Sequence, residues 1–449
     1  MLKHMHELRN DRPGLQSLDD ISTELQPCYT EGQQRTFSTV AQTQHLASYV
    51  TMCQVNLPTI YWLDEHTRKE FEYRGSRIHV DTWAQMIHAV QDHQEELLKD
   101  LLLDQNDLLI NFAGKRVVDD PHNQTYGHSI LKDPRNSDVF YPDGDTEVLL
   151  HRIANTPSLR KKFFRRSQDG KWEVLQTAAR KWLTKYAELN KDCMVCLTLS
   201  GGGPARSTEL TALNYANGRD GDIRNLLAYG NLIYIAKTYS KVEPMRNGPR
   251  TVVPDVLDAR LSYVVMINLA ILRPFAIHLV SEVYRGNDQI MELYHNKLFV
   301  STSRLFVCDD LSSALAGWTS KILGISFTLR HIRQMMVALK NYVAGEDIED
   351  DINAVMSSHT LEVERARYAV CRNVPERANA QLWERVIQAC RRMHILFKIV
   401  PGKLRVCVDL EHLHLQPGFQ LVCPGKRLHP LITRASIANG KSISHSIWR

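Results

Sequence analysis

At 449 residues, with 43% hydrophobic and 23% charged side chains, the chain has the composition of an ordinary globular protein of two or three domains. A formal net charge of +5 excludes a histone-like protein that coats nucleic acid by bulk charge, so local clusters matter more than the total. Read residue by residue, the sequence shows neither an apolar run of about 18 residues nor an apolar signal core at its start. This predicts a non-membrane, non-secreted protein, nuclear in a eukaryote and cytoplasmic otherwise.

Residues 1–35 are polar and aperiodic and read as a flexible arm. Phe37, Val40, Ala41, Leu46, Tyr49 and Val50 predict a first helix, interrupted at Pro58-Thr59-Ile60-Tyr61-Trp62. Arg74-Gly75-Ser76-Arg77 reads as a turn. Asp81 or Thr82 then caps a long helix carrying Trp83, Met86, Ile87, Val90, Leu97, Leu98, Leu101 and Leu102 at helical spacing. Residues 112–145, rich in Asp, Pro, Asn and Gly, read as a long connection or an ordered loop. His122 and His128 stand there among Asp119, Asp120 and Asp133, but at no metal-binding spacing, which favours a solvated loop. Residues 36–150 are thus a helical N-terminal domain ending in a long connection.

A basic stretch follows, with Arg160, Lys161, Lys162, Arg165, Arg166 and Lys171, then Arg180, Lys181 and Lys185. Phe163, Phe164, Trp172 and Trp182 interleave it, and only Asp169 and Glu173 oppose it. Three readings stay open: an amphipathic helix pair with solvated cations, a surface that tracks phosphates, or an import signal. The nine cysteines are scattered and odd in number, as for reduced thiols; Cys193 and Cys196 read as helix packing rather than a metal or redox pair.

Ser200-Gly201-Gly202-Gly203-Pro204-Ala205-Arg206-Ser207-Thr208-Glu209 is a glycine turn running into a helix, and lacks the Gly-Lys-Ser/Thr of a phosphate loop. Arg206 would lie near that helix's N-terminus, where dipole and guanidinium both favour an oxyanion. Leu232–Ala236 and Arg250–Val253 predict two strands, joined by a hairpin loop bearing Lys241 and Asn247-Gly248. Pro254 and Asp255 are expected to open a helix that runs to about Leu272 and is ended by Pro274. Leu329, Ile332, Met336, Leu339 and Val343 line one face of a later helix, ended by Gly345 and followed by an acidic run. His359 precedes Tyr368 by nine positions, which puts them on opposite faces of an unbroken helix. A terminal helix through Trp383, Val386, Ile387 and Cys390 leads to a tail, residues 399–449, of short strands and turns.

The order Arg206, hairpin Lys241, Arg330, His359 and Tyr368 resembles the catalytic domain of the tyrosine recombinases, the phage-integrase-like superfamily, over about residues 151–398. Pro58-Thr59-Ile60-Tyr61-Trp62, Gly203–Glu209 and Thr238-Tyr239-Ser240-Lys241 are similar to recombinase-like proteins of crypton-type and other fungal mobile elements. The resemblance implies a mainly α fold with a small antiparallel β-sheet (α+β), preceded by a helical domain that clamps double-stranded DNA. It implies a homo-oligomer on DNA, with no cofactor and no metal. Arg206 and Arg330 would hold the phosphate oxygens, Tyr368 would attack, Lys241 would protonate the leaving oxygen, His359 would hydrogen-bond the phosphate and Glu209 would brace the site. One position departs from the pattern: Phe327 stands where the family carries a polar residue, usually His, and His331 is turned about 100° from Arg330. Two alternatives remain, a DNA-binding protein that kept the fold and lost catalysis, and a helical interaction scaffold.

Overall fold

The computed structural model describes Leu46 and residues 60–64, 69–112, 114–203, 205–219, 221–230, 232–239, 251–344 and 376–402. The chain is mainly helical with small antiparallel sheets. The predicted arm, all but Leu46 of the first helix, the acidic run and nearly all of the C-terminal tail lie outside the described residues.

In the first hairpin, β1 (Glu70–Tyr73) and β2 (Ser76–His79) pair antiparallel around Arg74 and Gly75. Both turn residues have positive φ, 52° and 81°, as a two-residue turn matched to strand twist requires. The chain enters α1 (Val80–Leu101) directly. Its predicted apolar face is buried throughout, from Trp83 to Leu101. Two glutamines share that face and donate across it: Gln91 to Asp258 Oδ1 at 2.9 Å and Gln94 to the Asp192 carbonyl at 2.8 Å.

The connection 112–145 is an ordered loop with short 3-10 turns at Ile130–Lys132 and Pro134–Asn136, exposed around His122 and Tyr126 and fastened at its base. Its fastening is electrostatic. Asp119 and Arg224 form an ion pair at 2.7 Å with both side chains fully buried, and Arg224 also donates to the carbonyls of Asp120 and Asn123. Asn136 adds donors to the carbonyls of Val118 and Ile130. These partners come from distant sequence, which is why polar composition read as solvation.

Short helices α2 (Val148–Asn155) and α3 (Pro157–Phe163) precede a second hairpin, β3 (Phe164–Arg166) and β4 (Trp172–Val174). The basic stretch is therefore helix, hairpin and helix rather than a helix pair. Asp169-Gly170 at the hairpin tip, with Gly170 at φ 79°, was its sequence signal. The long α4 (Gln176–Ser200) follows and packs against α1. Residues on both sides of position 150 thus share one core, and from Trp62 onward the chain is one compact unit. Cys193 and Cys196 lie in that core, where burial pushes both thiols far up, as packing residues should behave.

Beyond the five-residue α5 (Ser207–Thr211), a three-stranded antiparallel sheet forms in sequence order from β5 (Leu226–Tyr229), β6 (Leu232–Tyr239) and β7 (Thr251–Val256). Pro254 and Asp255 belong to β7, not to a helix: Pro254 faces Ala236 on an edge strand, where a missing N–H is tolerated. The helix starts later, at α6 (Ala259–Ile267), with Asp258 accepting from the Leu261 N–H at 3.0 Å as N-cap. Nor does Pro274 end it. A π-helical turn over Asn268–Leu272 resets the hydrogen-bond register, and α7 (Arg273–Val283) continues with Pro274 in its first turn. The combined segment Ala259–Val283 is long and apolar enough to cross a membrane, contrary to the sequence expectation, but 78% of its most apolar window is buried in the fold.

Arg273 sits at the restart of this segment. Its Nε donates to the Tyr186 hydroxyl at 2.5 Å, Nη1 to the carbonyls of Tyr294 and Lys297 at 2.9 and 2.8 Å, and Nη2 to that of Leu298 at 2.7 Å. The rings of Tyr186, Tyr215 and Tyr294 surround the guanidinium at 5.1–5.7 Å.

Further helices among the described residues are α8 (Asp288–Asn296), α9 (Cys308–Leu323), α10 (Leu329–Ala344) and α11 (Glu376–Leu396). α11 places Val386, Ile387, Ala389 and Cys390 on Leu227, Tyr234, Ala236 and Val256 of the chain's own sheet. This apolar surface of the terminal helix is thus covered by the chain's own sheet.

Candidate functional site

The Arg206 loop is held from below. α4 ends at Ser200, and Gly201 follows so closely packed that a Cβ there would lie 2.5 Å from the Leu197 carbonyl and 2.8 Å from Asp255. Asp255, from β7, accepts the Gly203 N–H at 3.4 Å and the Lys237 ammonium at 2.7 Å. Lys237 also donates to the Gly203 carbonyl. Sheet and loop are thereby locked together, which sets where Arg206 emerges.

The Arg206 N–H donates to Glu209 Oε2 at 3.0 Å, and its Nε lies 3.9 Å from Oε1. The side chains are 31% and 26% exposed, so this pair is reachable from solvent. α5 is too short to supply much dipole, and the expected dipole contribution to anion binding falls away. The guanidinium itself is the attractive element.

α10 brings further cations alongside. Arg330 is exposed. Arg333, one turn on, feels both Glu209 and Arg206: burial lowers its pKa, Glu209 opposes that and Arg206 adds to it. Arg333 was not singled out from sequence, although its i+3 spacing from Arg330 places it on a neighbouring face. Arg74 joins from the first hairpin, its guanidinium 5.5 Å from the Tyr73 ring. No local pattern marked Arg74, because only docking of the hairpin on α10 brings it there. Tyr73 makes that dock by donating to Gln334 Oε1 at 2.5 Å.

Phe327 and His331 belong to the same dock. Phe327 is 5% exposed, its ring edge-to-face with Tyr73 at 5.8 Å and with His331 at 6.0 Å, and its N–H donates to Thr319 Oγ1 at 2.8 Å. It is a packing residue and does not stand in a vacant phosphate position. His331 Nδ1 accepts the Thr328 N–H at 3.2 Å, across the first turn of α10. Burial lowers its pKa, and Arg74 and Arg330 lower it further, so it is a neutral imidazole at pH 7. Burial raises the Tyr73 phenol, with Arg74 and Arg330 opposing, and suits it to structure rather than attack.

Of the predicted catalytic set, Arg206 and Arg330 are among the described residues, Arg206 with Glu209 beside it and Arg330 exposed on α10. Lys241, His359 and Tyr368 lie outside the described residues.

The basic stretch forms a separate surface. Lys161, Lys162, Arg165, Arg166 and Lys171 are exposed, and Arg160 lies over the Trp172 ring at 4.8 Å. Arg165 pairs with Glu173 at 3.2 Å, an exposed contact of little net strength. Arg180 adds a guanidinium 5.5 Å from Tyr284. Among the described residues no group of three or more His, Cys, Asp or Glu is placed to hold a metal ion. Asp119 is committed to Arg224 and Asp133 to Arg135, away from His122.

Fold and site together define a mainly helical protein with small antiparallel sheets, in which α10 carries Arg333 beside Arg206 and Glu209 and carries Arg330, whose charge, like that of Arg74, acts on Tyr73 and His331 in the hairpin dock. Comparison of the chain with family models, with curated proteins and with solved structures finds no match.

Proposed function

We propose that the chain cleaves and rejoins DNA strands through a phosphotyrosyl intermediate, in the manner of the tyrosine recombinases it resembles. The observation that supports this most is the meeting of Arg206, with Glu209 behind it, and the Arg330–Arg333 face of α10, from distant parts of the sequence. Cations grouped around one carboxylate suit a phosphodiester, whose slow reaction needs the developing phosphorane charge stabilised. In this reading Tyr368 Oη gives up its proton to solvent and bonds to phosphorus as the P–O5′ bond breaks, and Lys241 delivers a proton to the leaving oxygen and regains one from solvent. Attack by a 5′ hydroxyl reverses the step, and the phosphotyrosine bond carries the energy across without ATP. Arg206, Arg330 and His359 hold the non-bridging oxygens, and no cofactor is called for. The half-buried Arg160 and the exposed cations from Lys161 to Lys171 would follow the duplex, which makes double-stranded DNA the partner, in the nucleus of a eukaryotic host and the cytoplasm otherwise.

A nicked suicide duplex tests this directly, because it traps the covalent complex by letting the cleaved fragment diffuse away. An adduct should resist denaturing electrophoresis, map to Tyr368 and vanish in Tyr368→Phe while DNA affinity survives. An adduct at another residue removes the assignment. A second reading is a DNA-binding protein without catalysis, favoured by Phe327, which supplies no polar group to the site. Salt-sensitive duplex binding with no adduct under any condition would establish that reading instead.

A further inference from the structure

The second hairpin ends in a feature that duplex binding does not use. Trp172 is 51% exposed, although tryptophan is among the most costly side chains to leave in water. It is not loosely placed. Register sets it opposite Arg166, whose Nε is tied to the Gly170 carbonyl at 3.2 Å across the turn. The Arg160 guanidinium lies over the ring at 4.8 Å and is anchored by donating to the Ala154 carbonyl at 3.2 Å. The ring is therefore held in one orientation, with a cation on it and Lys161, Lys162 and Lys171 exposed around it.

We infer that the Arg160–Trp172 stack on the β3–β4 hairpin is a platform for an unpaired DNA base, so that the protein prefers duplex with adjoining single strand to uninterrupted duplex. This rests on the DNA reading above and adds the form of DNA recognised. A base has a π-face that stacks on indole whatever its sequence, while the surrounding cations hold the phosphates on either side. In intact duplex that face is occupied by neighbouring base pairs. At a nick, a tail or a strand-exchange junction it is free. Arg165 and Glu173, paired across the other face of the hairpin, neutralise each other and leave the Trp172 face as the more cationic one.

Fluorescence anisotropy of the full chain with a labelled blunt duplex, and with the same duplex carrying an oligothymidine tail, tests the inference. The tail should tighten binding about fivefold or more, the range that one stacked base supplies. Trp172→Ala should erase that gain and leave blunt-duplex affinity within about twofold, while Trp172→Tyr keeps most of it. In the unmodified protein, 5-iodouracil in the tail should photocrosslink to Trp172, a readout independent of how well the variants fold. A tail that adds nothing, a gain that survives Trp172→Ala, or a crosslink confined to other residues overturns the platform while leaving duplex binding standing. Failure to bind either DNA overturns both the platform and the DNA reading, and points to a protein partner for Trp172.

Discussion

Two groups of arginines show how differently the same side chain can be used. Arg273 is enclosed: its donors end on a tyrosine hydroxyl and three backbone carbonyls, and three aromatic rings close over it. No carboxylate is among those partners. Its charge is balanced by dipoles and ring faces, and it knits the π-turn of the central helix to α4 and to the 294–298 segment. Arg206 and Arg330 are presented to solvent instead, on a loop braced from beneath and on a helix docked by Tyr73. A cation whose donors already end on carbonyls has no capacity for a ligand. One that keeps solvent exposure beside a single glutamate can exchange water for phosphate oxygens.

Substitution should separate the two uses. Arg273→Met removes the donors and strands buried acceptors, so stability in urea should fall by about 3–5 kcal/mol, as for broken buried charge networks. Arg273→Lys, with a point charge and fewer donors, should recover only part of this. Unchanged unfolding in both variants would show that the cage is not structural.

Arg206→Ala should do the reverse. Its urea midpoint should stay close to that of the parent, while adduct formation on the suicide duplex drops about 10²–10³-fold, or about 2.7–4 kcal/mol. Equal loss of stability in both arginine variants would erase the distinction drawn here.

His394 sharpens the comparison, because it is a buried titratable group with neither arrangement around it. Burial is the main reason its pKa falls to about 3, Arg391 adds to the shift, and neither ring nitrogen has a side-chain partner. The folded pKa lies below the unfolded 6.5, so the unfolded chain binds more protons between those values. Stability from this group is therefore full above pH 6.5 and is lost progressively as pH falls toward 3. At pH 5 the loss should be about 2 kcal/mol relative to pH 7, and His394→Leu should flatten it. Denaturant melts of both proteins at pH 7 and 5 measure the difference, and parallel curves would sink the expectation.

The smallest effect is expected at Phe327. A histidine there would face Tyr73 and His331 in the dock rather than a phosphate. Phe327→His should lower stability by about 1–2 kcal/mol by burying a polar ring, and should not speed cleavage. A faster adduct from this variant would return position 327 to the site.

Much of the helical frame was legible in sequence, because a helix records burial at a fixed period. Trp83 through Leu101 on α1, and Leu329, Ile332, Met336 and Leu339 on α10, are buried as their spacing predicted. The β6 strand was legible for the same reason. What periodicity could not reach were boundaries decided by a partner. Pro254 and Asp255 look like a helix start, yet pairing with Ala236 and Ile235 makes them a strand. Pro274 looks like a stop, yet a π-turn carries the helix past it.

Candidate chemistry divides along the same line. Sequence alone was enough to single out Arg206, Glu209 and Arg330, because each stands in a short motif with its own spacing. Only the tertiary structure decided that Arg333 stands with Arg206 and Glu209, that Arg74 and Arg330 both act on His331, that Phe327 is packing and that Lys237 braces the glycine loop. Those outcomes depend on contacts between segments far apart along the chain, and a linear pattern carries no distance between such segments. The same reason explains the strap at 112–145: its acidic composition is local, but Arg224, which buries Asp119, arrives only with the fold.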